Sequence, residues 1–132
     1  MTQQTLDLQG PPTREVAAIA SCLANPTSFR KWLMEHSSRH TWCSNPKACP
    51  IAGYLRYRGY NYVSVGLESI GAGFAFNGHD SIRVSLEYEV RPWVGTFIAF
   101  FDRVGYKNIQ RDRVIAALDA ALYALSQQRA ST

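Results

Sequence analysis

The spacing of apolar residues changes twice along this 132-residue chain, and that change constrains the fold more than any other feature. In the first part the pattern is helical, as in the i, i+3, i+4, i+7 series Phe29, Trp32, Leu33 and His36. From residue 82 to 90, apolar and polar residues alternate strictly, as they do along a β-strand with one solvated face. Toward the C-terminus helical spacing returns. The sequence therefore predicts an α+β fold, with a small antiparallel sheet between two helical regions.

Turn and capping signals divide this pattern into elements. We expect helices at about 13–24, 27–37, 50–58, 92–104 and 109–126, and strands near 61–67 and 81–90. Residues 71–76 are either a further strand or a bulged continuation of the first, and Asn77-Gly78 is a hairpin-turn dipeptide. Thr13 and Asn108 are expected to cap the first and last helices, and Gly59 to end the third. Because few residues separate the last two helices, they should form an antiparallel hairpin.

Length and composition indicate a single compact domain over residues 1–132, built from three N-terminal helices, the sheet and the C-terminal helix hairpin. Residues 1–11 lack periodicity and are expected to form a flexible tail. A chain of this length can bury a core without disulfide or metal staples. The predicted core residues are Trp32, Leu33, Phe97, Ile98, Leu118 and Leu122.

The sequence predicts neither a membrane span nor export. No apolar run approaches the ~20 residues needed to cross a bilayer. The first residues also lack the basic and apolar regions of a signal peptide. Three cysteines cannot all pair with one another, so we expect reduced thiols and a cytoplasmic location.

Charge is distributed unevenly along the chain, whose formal net charge is +4. Between Ser37 and Tyr60 there are four basic residues and no acidic one, whereas residues 61–90 hold one basic and four acidic residues. Such a layout favours one surface that attracts acidic partners. It is too mild to require nucleic acid.

The segment 36–49 contains four candidate zinc ligands, namely His36, His40, Cys43 and Cys49. Imidazole and thiolate are the ligands that zinc prefers. The spacing Cys-x5-Cys, however, differs from the usual zinc knuckle, and His36 also fits as the last member of an apolar helix stripe. We therefore expect no bound zinc.

Cys49 is also a candidate reactive thiol. It directly precedes Pro50 at the predicted start of a helix, where free amides and the helix dipole favour the thiolate. A nucleophilic cysteine further needs a positioned base and an oxyanion site, and no Cys/His/Asp arrangement is recognisable in the sequence. The interpretation we favour is a small buried side chain that begins a helix, in a protein that is neither an enzyme nor the carrier of a cofactor.

Three short patterns carry a family resemblance. They are Phe29-x-x-Trp32-Leu33, Cys49-Pro50-Ile51-Ala52-x-Tyr54-Leu55 and Trp93-x-x-x-Phe97-Ile98-x-x-x-Asp102. Together they resemble small uncharacterised bacterial and phage proteins. That resemblance implies a small single domain and no activity, cofactor or catalytic residue.

Tyrosines and arginines are interleaved after residue 53, and these residue types are enriched at interface hot spots. We therefore predict a small non-enzymatic binding protein, such as a regulator or inhibitor of a larger complex, whose partner is a protein with an acidic surface. The predicted binding residues are Arg39, Lys47, Arg56, Tyr57 and Arg58. The alternative is a nucleic-acid-binding module, with or without a stabilising zinc. The less specific interpretation of these arginines is that they pair with Glu68, Glu87 and Glu89 and only solvate the surface.

Overall fold

The computed structural model describes residues 16–36, 41–66, 69–76, 80–88, 90–105 and 107–130. Within these ranges it contains five helices: α1 (16–22), α2 (Pro26–His36), α3 (Pro50–Tyr57), α4 (Pro92–Asp102) and α5 (Arg111–Ala130). Its strands are β1 (Thr41–Trp42), β2 (Tyr62–Val65), β3 (Ser69–Phe76), β4 (Asp80–Glu87) and β5 (Ile109–Gln110). The α+β prediction is confirmed.

The helix limits follow from local chemistry. Helices α3 and α4 both start at a proline, whose missing N–H is no loss in the first turn. After α3, Gly59 adopts a φ of +112°, a conformation that disfavours any residue with a Cβ, so the predicted stop is confirmed. The cap predicted at Thr13 lies outside the described residues.

The main sheet has three antiparallel strands in the order β2-β3-β4. Residues 71–76, which the sequence left undecided, belong to a full central strand that pairs on both sides. Phe76 pairs with Asp80 across the segment that contains Asn77-Gly78, and that predicted turn lies outside the described residues.

The predicted strand near 81–90 is too long at its C-terminal end. Strand β4 stops at Glu87, and a turn follows in which the N–H of Val90 donates to the carbonyl of Glu87. The Tyr88 hydroxyl donates to the carbonyl of Gly66 at 2.5 Å. Val90 is consequently exposed, although the alternation placed it on the buried face.

A second, two-stranded sheet was not predicted. Its strands β1 and β5 are 2 residues each and pair antiparallel, so that Trp42 lies opposite Ile109. Asn108, predicted to cap the last helix, instead adopts a φ of +60° before β5, and α5 begins only at Arg111. Asparagine tolerates this left-handed conformation better than most residues. The pairing of β5 with β1 therefore delays the helix start.

One contiguous core joins the helices and both sheets. Five of the six predicted core residues are buried, namely Trp32, Leu33, Phe97, Ile98 and Leu118. Leu122 is only partly buried and packs against the edge of this core. At the other end of the core, Trp93 donates its Nε1–H to the carbonyl of Leu23 at 2.7 Å, which ties α4 to the chain just after α1.

Gly53 lets a large ring approach the middle of α3. A Cβ added there would lie 2.6 Å from Cζ3 of Trp42 and 3.3 Å from Cη2 of Trp32. Glycine is unfavourable inside a helix by about 1 kcal/mol relative to alanine, so its presence reflects this close contact. The two-stranded sheet and α3 are thus packed together through Trp42, which lies in a segment for which the sequence predicted neither helix nor strand.

Candidate functional site between α2 and α3

A hollow of about 230 Å³ lies between helix α2 and the C-terminal end of helix α3, and we call it the α2–α3 cleft. Its lining side chains come from both helices: Ser28, Lys31, Trp32, Glu35, His36, Tyr54, Tyr57 and Arg58. Helical spacing explains the grouping, because residues three or four apart share one face. Trp32 and His36 are such a pair on α2, and Tyr54 and Tyr57 are one on α3.

Four aromatic rings make the floor and one wall of the cleft. Trp32 and Tyr54 are almost fully buried, with ring centroids 5.4 Å apart. Tyr57 lies 5.0 Å from the His36 ring and 5.9 Å from Trp32, yet 58% of it is exposed. The cleft therefore grades from a buried apolar floor to an exposed tyrosine that its neighbours hold in place.

Arg58 forms the cationic edge of the cleft. Its Nη1 donates to the Tyr54 hydroxyl at 3.3 Å, and its Cζ lies 5.9 Å from the centroid of the Tyr54 ring. This hydrogen bond to the Tyr54 hydroxyl is the main cause that raises the pKa of Arg58. A guanidinium placed in this way is oriented before any partner arrives, while much of its charge still faces water.

The five predicted binding residues separate into groups. Tyr57 and Arg58 line the cleft. Arg56 turns elsewhere and donates from Nη2 to the backbone carbonyl of Lys47, so these two residues form a neighbouring basic patch. Arg39 lies outside the described residues.

The alternative role of the arginines as ion-pair partners finds limited support. Within the described ranges neither Arg56 nor Arg58 forms an ion pair, and Glu87 has none either. Glu68 and Glu89 lie outside those ranges. The bidentate pair that does form joins Arg30 on α2 to Asp119 on α5, with Nε 2.9 Å from Oδ1.

A buried polar atom marks the floor of the cleft. In the described part of the chain the indole Nε1 of Trp32 has no hydrogen-bond partner, although only 8% of the residue is exposed. A buried donor without an acceptor is unfavourable by about 1–3 kcal/mol. An acceptor supplied by a partner would relieve that penalty.

The residues of the candidate zinc set are spread over different surroundings. His36 stacks on Trp32 in the cleft, whereas Cys49 is buried at the opposite end of α3. Among the described residues, no three His, Cys, Asp or Glu side chains are grouped closely enough to hold a metal ion. His40 lies outside the described part of the chain.

Cys49 stands at the start of α3 and is buried, as in the interpretation favoured from the sequence over a reactive thiolate. Burial raises the pKa of its thiol to about 11, and this outweighs the opposite effect of the Ala52 and Ile51 backbone amides. The side chain also makes no capping hydrogen bond. Desolvation penalises the charged form more than the helix start can compensate, so Cys49 is a neutral thiol at pH 7.

Sequence reasoning missed the contribution of α2 to the cleft. Trp32 and His36 were assigned to a core stripe, and Lys31 and Glu35 were not singled out. The available signal was the end of the stripe in a histidine, which marks the place where an apolar helix face reaches solvent. What the pattern lacked was the position of α3, which supplies the facing tyrosines.

No described helix is both long enough and apolar enough to cross a bilayer.

Comparisons with known proteins identify no relative from which a function could be transferred, so the functional argument rests on the α2–α3 cleft. No protein-family model matches the chain, and neither a curated protein nor a solved structure is significantly similar to it.

Proposed function

We propose that this chain is a small non-enzymatic binding protein that holds an acidic segment of a partner protein in the α2–α3 cleft. The observation that carries the proposal is Tyr57, a large ring that is 58% exposed but packed against His36 and Trp32. A tyrosine ordered before binding offers contact area with little entropy to lose.

The charges of the cleft favour a carboxylate-bearing partner. Of the described residues that line it, Lys31 and Arg58 are cationic and Glu35 is acidic, and Arg58 is already oriented by Tyr54. A carboxylate can accept from Arg58 while an apolar or aromatic neighbour packs on Tyr57. The basic patch of Lys47 and Arg56, together with Arg39, would speed encounter with an acidic surface.

The scaffold is part of the same proposal. We infer a single cytoplasmic domain in which α1, α2 and α3 form an N-terminal helical group and α4 and α5 form an antiparallel hairpin behind it. Contacts between α4 and α5 and the Arg30–Asp119 pair between α2 and α5 support this arrangement. Such a rigid support suits a regulator or inhibitor of a larger complex.

The test begins with affinity capture of the partner from the native cell, followed by calorimetry with the purified partner. The variant Tyr57→Ala with Arg58→Glu should weaken binding by at least about 100-fold, since hot-spot losses reach 2 kcal/mol or more each. Arg56→Glu is the matched control, because it makes the same charge change two residues away, outside the cleft. It should weaken binding less than about fivefold, mainly through a slower association rate.

Two results would contradict the proposal. Loss of binding in the Arg56→Glu control, with the cleft variant unaffected, would move the interface to the basic patch. Tight binding of a single-stranded oligonucleotide that weakens steeply with salt would instead support the nucleic-acid alternative, with bases stacked on Tyr57.

A further inference from the structure

A second hollow lies at the other end of α3 and is independent of the cleft. It has a volume of about 100 Å³ and lies between the start of α3, the end of α4 and strand β2; we call it the α3–α4 cavity. Its walls are mainly apolar, formed by Pro46, Pro50, Val65, Phe97, Ile98 and Phe101. Walls of this kind favour a hydrocarbon group over water.

Among the described residues that line this cavity, Asp102 is the one with a charged side chain. It is the last residue of α4, where the helix dipole adds negative potential. The adjacent Arg103 turns away and places its Cζ 5.4 Å from the Phe100 ring, and no described cation pairs with Asp102. Partial burial raises the pKa of the Asp102 carboxyl, as expected for a carboxylate without a cationic neighbour.

Several described backbone groups around the cavity cannot donate to a ligand. Pro50 begins α3 and has no N–H, and the amides of Val65 and Gly66 donate to the carbonyls of Pro46 and Ser69. The Tyr88 hydroxyl donates to the carbonyl of Gly66. The cavity therefore presents apolar walls and a carboxylate acceptor, with the Ser44 hydroxyl as a further polar group.

We propose that the α3–α4 cavity binds a small organic cation, with a compact aliphatic group among Val65, Phe97 and Ile98 and a protonated amine against Asp102. The volume sets the size of the ligand. A space of 100 Å³ corresponds to about three waters at ~30 Å³ each, or to a branched group of about four carbons.

The experiment uses three probes that share one aliphatic group: isobutylamine, isobutanol and isobutyrate. Each is titrated into ¹⁵N-labelled full-length protein at pH 7, and amide shifts of Val65, Gly66 and Asp102 are followed. The amine should bind saturably with a dissociation constant on the order of millimolar, as expected for so few atoms. The alcohol should bind more weakly, and the acid should not bind.

The variant Asp102→Asn separates charge recognition from cavity filling. It should weaken isobutylamine at least about fivefold while leaving isobutanol unchanged. Asp112→Asn is the matched control, because it removes the same charge from α5 at a residue that does not line the cavity. Saturable binding of none of the probes, equal binding of all three, or an unchanged amine affinity in Asp102→Asn would each overturn the proposal.

Discussion

The two hollows at the ends of α3 differ in how far they leave polar side chains exposed to water. At the C-terminal end, the α2–α3 cleft keeps Arg58 and Tyr57 in contact with water and orients them through ring contacts. At the N-terminal end, beside the α3–α4 cavity, Cys49 is 6% exposed and its thiol stays neutral. Only an 8-residue helix separates these surroundings. The type of a residue indicates which chemistry its side chain could perform, and burial determines whether the side chain can perform it.

Phe97 lies between the two hollows, and its removal should have the largest effect on stability. It lines the cavity and lies 5.4 Å from Phe29, whose ring is in turn 5.4 Å from Tyr54 on the cleft floor. Phe97→Ala should lower the free energy of unfolding by about 3–5 kcal/mol, measured by urea denaturation. Phe100→Ala, at a half-buried position in the same helix, should lower it by about 1–2 kcal/mol. A loss under ~1 kcal/mol for Phe97 would contradict its burial between the two hollows.

The neutral state of Cys49 predicts a pH effect confined to alkaline solution. Burial raises its pKa from 9.0 to about 11, so above pH 9 the unfolded chain loses this proton first. The folded state then binds more protons than the unfolded state, and stability falls as pH rises toward 11. The loss should total about 2–3 kcal/mol.

Unfolding curves of Cys49→Ala identify the part of this fall that belongs to Cys49, because other groups also titrate in alkaline solution. The variant should lose less stability than the native chain between pH 9 and 11. Parallel pH profiles for the two proteins would mean that the thiol is not desolvated, and the contrast between the two ends of α3 would fail.

Gly53 lies between the two hollows, and substituting it tests how tightly α3 is packed. Gly53→Ala gains about 1 kcal/mol of helix propensity but drives a methyl group into Trp42. Overpacking of this kind is unfavourable by about 1–3 kcal/mol, so we expect a net loss of up to about 2 kcal/mol in thermal or urea denaturation. Gly95→Ala is the comparison, because its added Cβ would meet Tyr88 at the more tolerable 3.0 Å. A stabilised Gly53→Ala protein would contradict the close contact with Trp42.

We expect the purified protein to contain no stoichiometric zinc. Elemental analysis of protein purified without chelators should find well under one zinc per chain, because His36 belongs to the cleft and Cys49 to the buried helix start. One tightly held zinc per chain, lost in Cys43→Ser, would overturn this expectation and favour the zinc-stabilised alternative.

The parts of the site that could be predicted are those that depend on the spacing of residues along one helix. Tyr57 and Arg58 follow Tyr54 at helical intervals, so spacing alone places the three side chains on one side of α3 and directs Arg56 to another. The hydrogen bond from Arg56 to the backbone carbonyl of Lys47 could not be predicted, because it depends on the path of the segment before α3. The Asp102 cavity was equally hidden, since its walls come from segments far apart in the chain.

By itself, the sequence determined the fold class, the approximate positions of α2, α3 and α4, the strand of clearest alternation up to Glu87 and most of the core, because periodicity acts between near neighbours. Tertiary structure decided which of those elements meet. The pairing of β1 with β5 turned a polar segment into the strand that buries Trp42 and moved the start of α5 to Arg111. The same packing desolvated Cys49 and brought α2 against α3 to form the cleft. These outcomes depend on contacts between distant segments, which spacing along the chain does not encode.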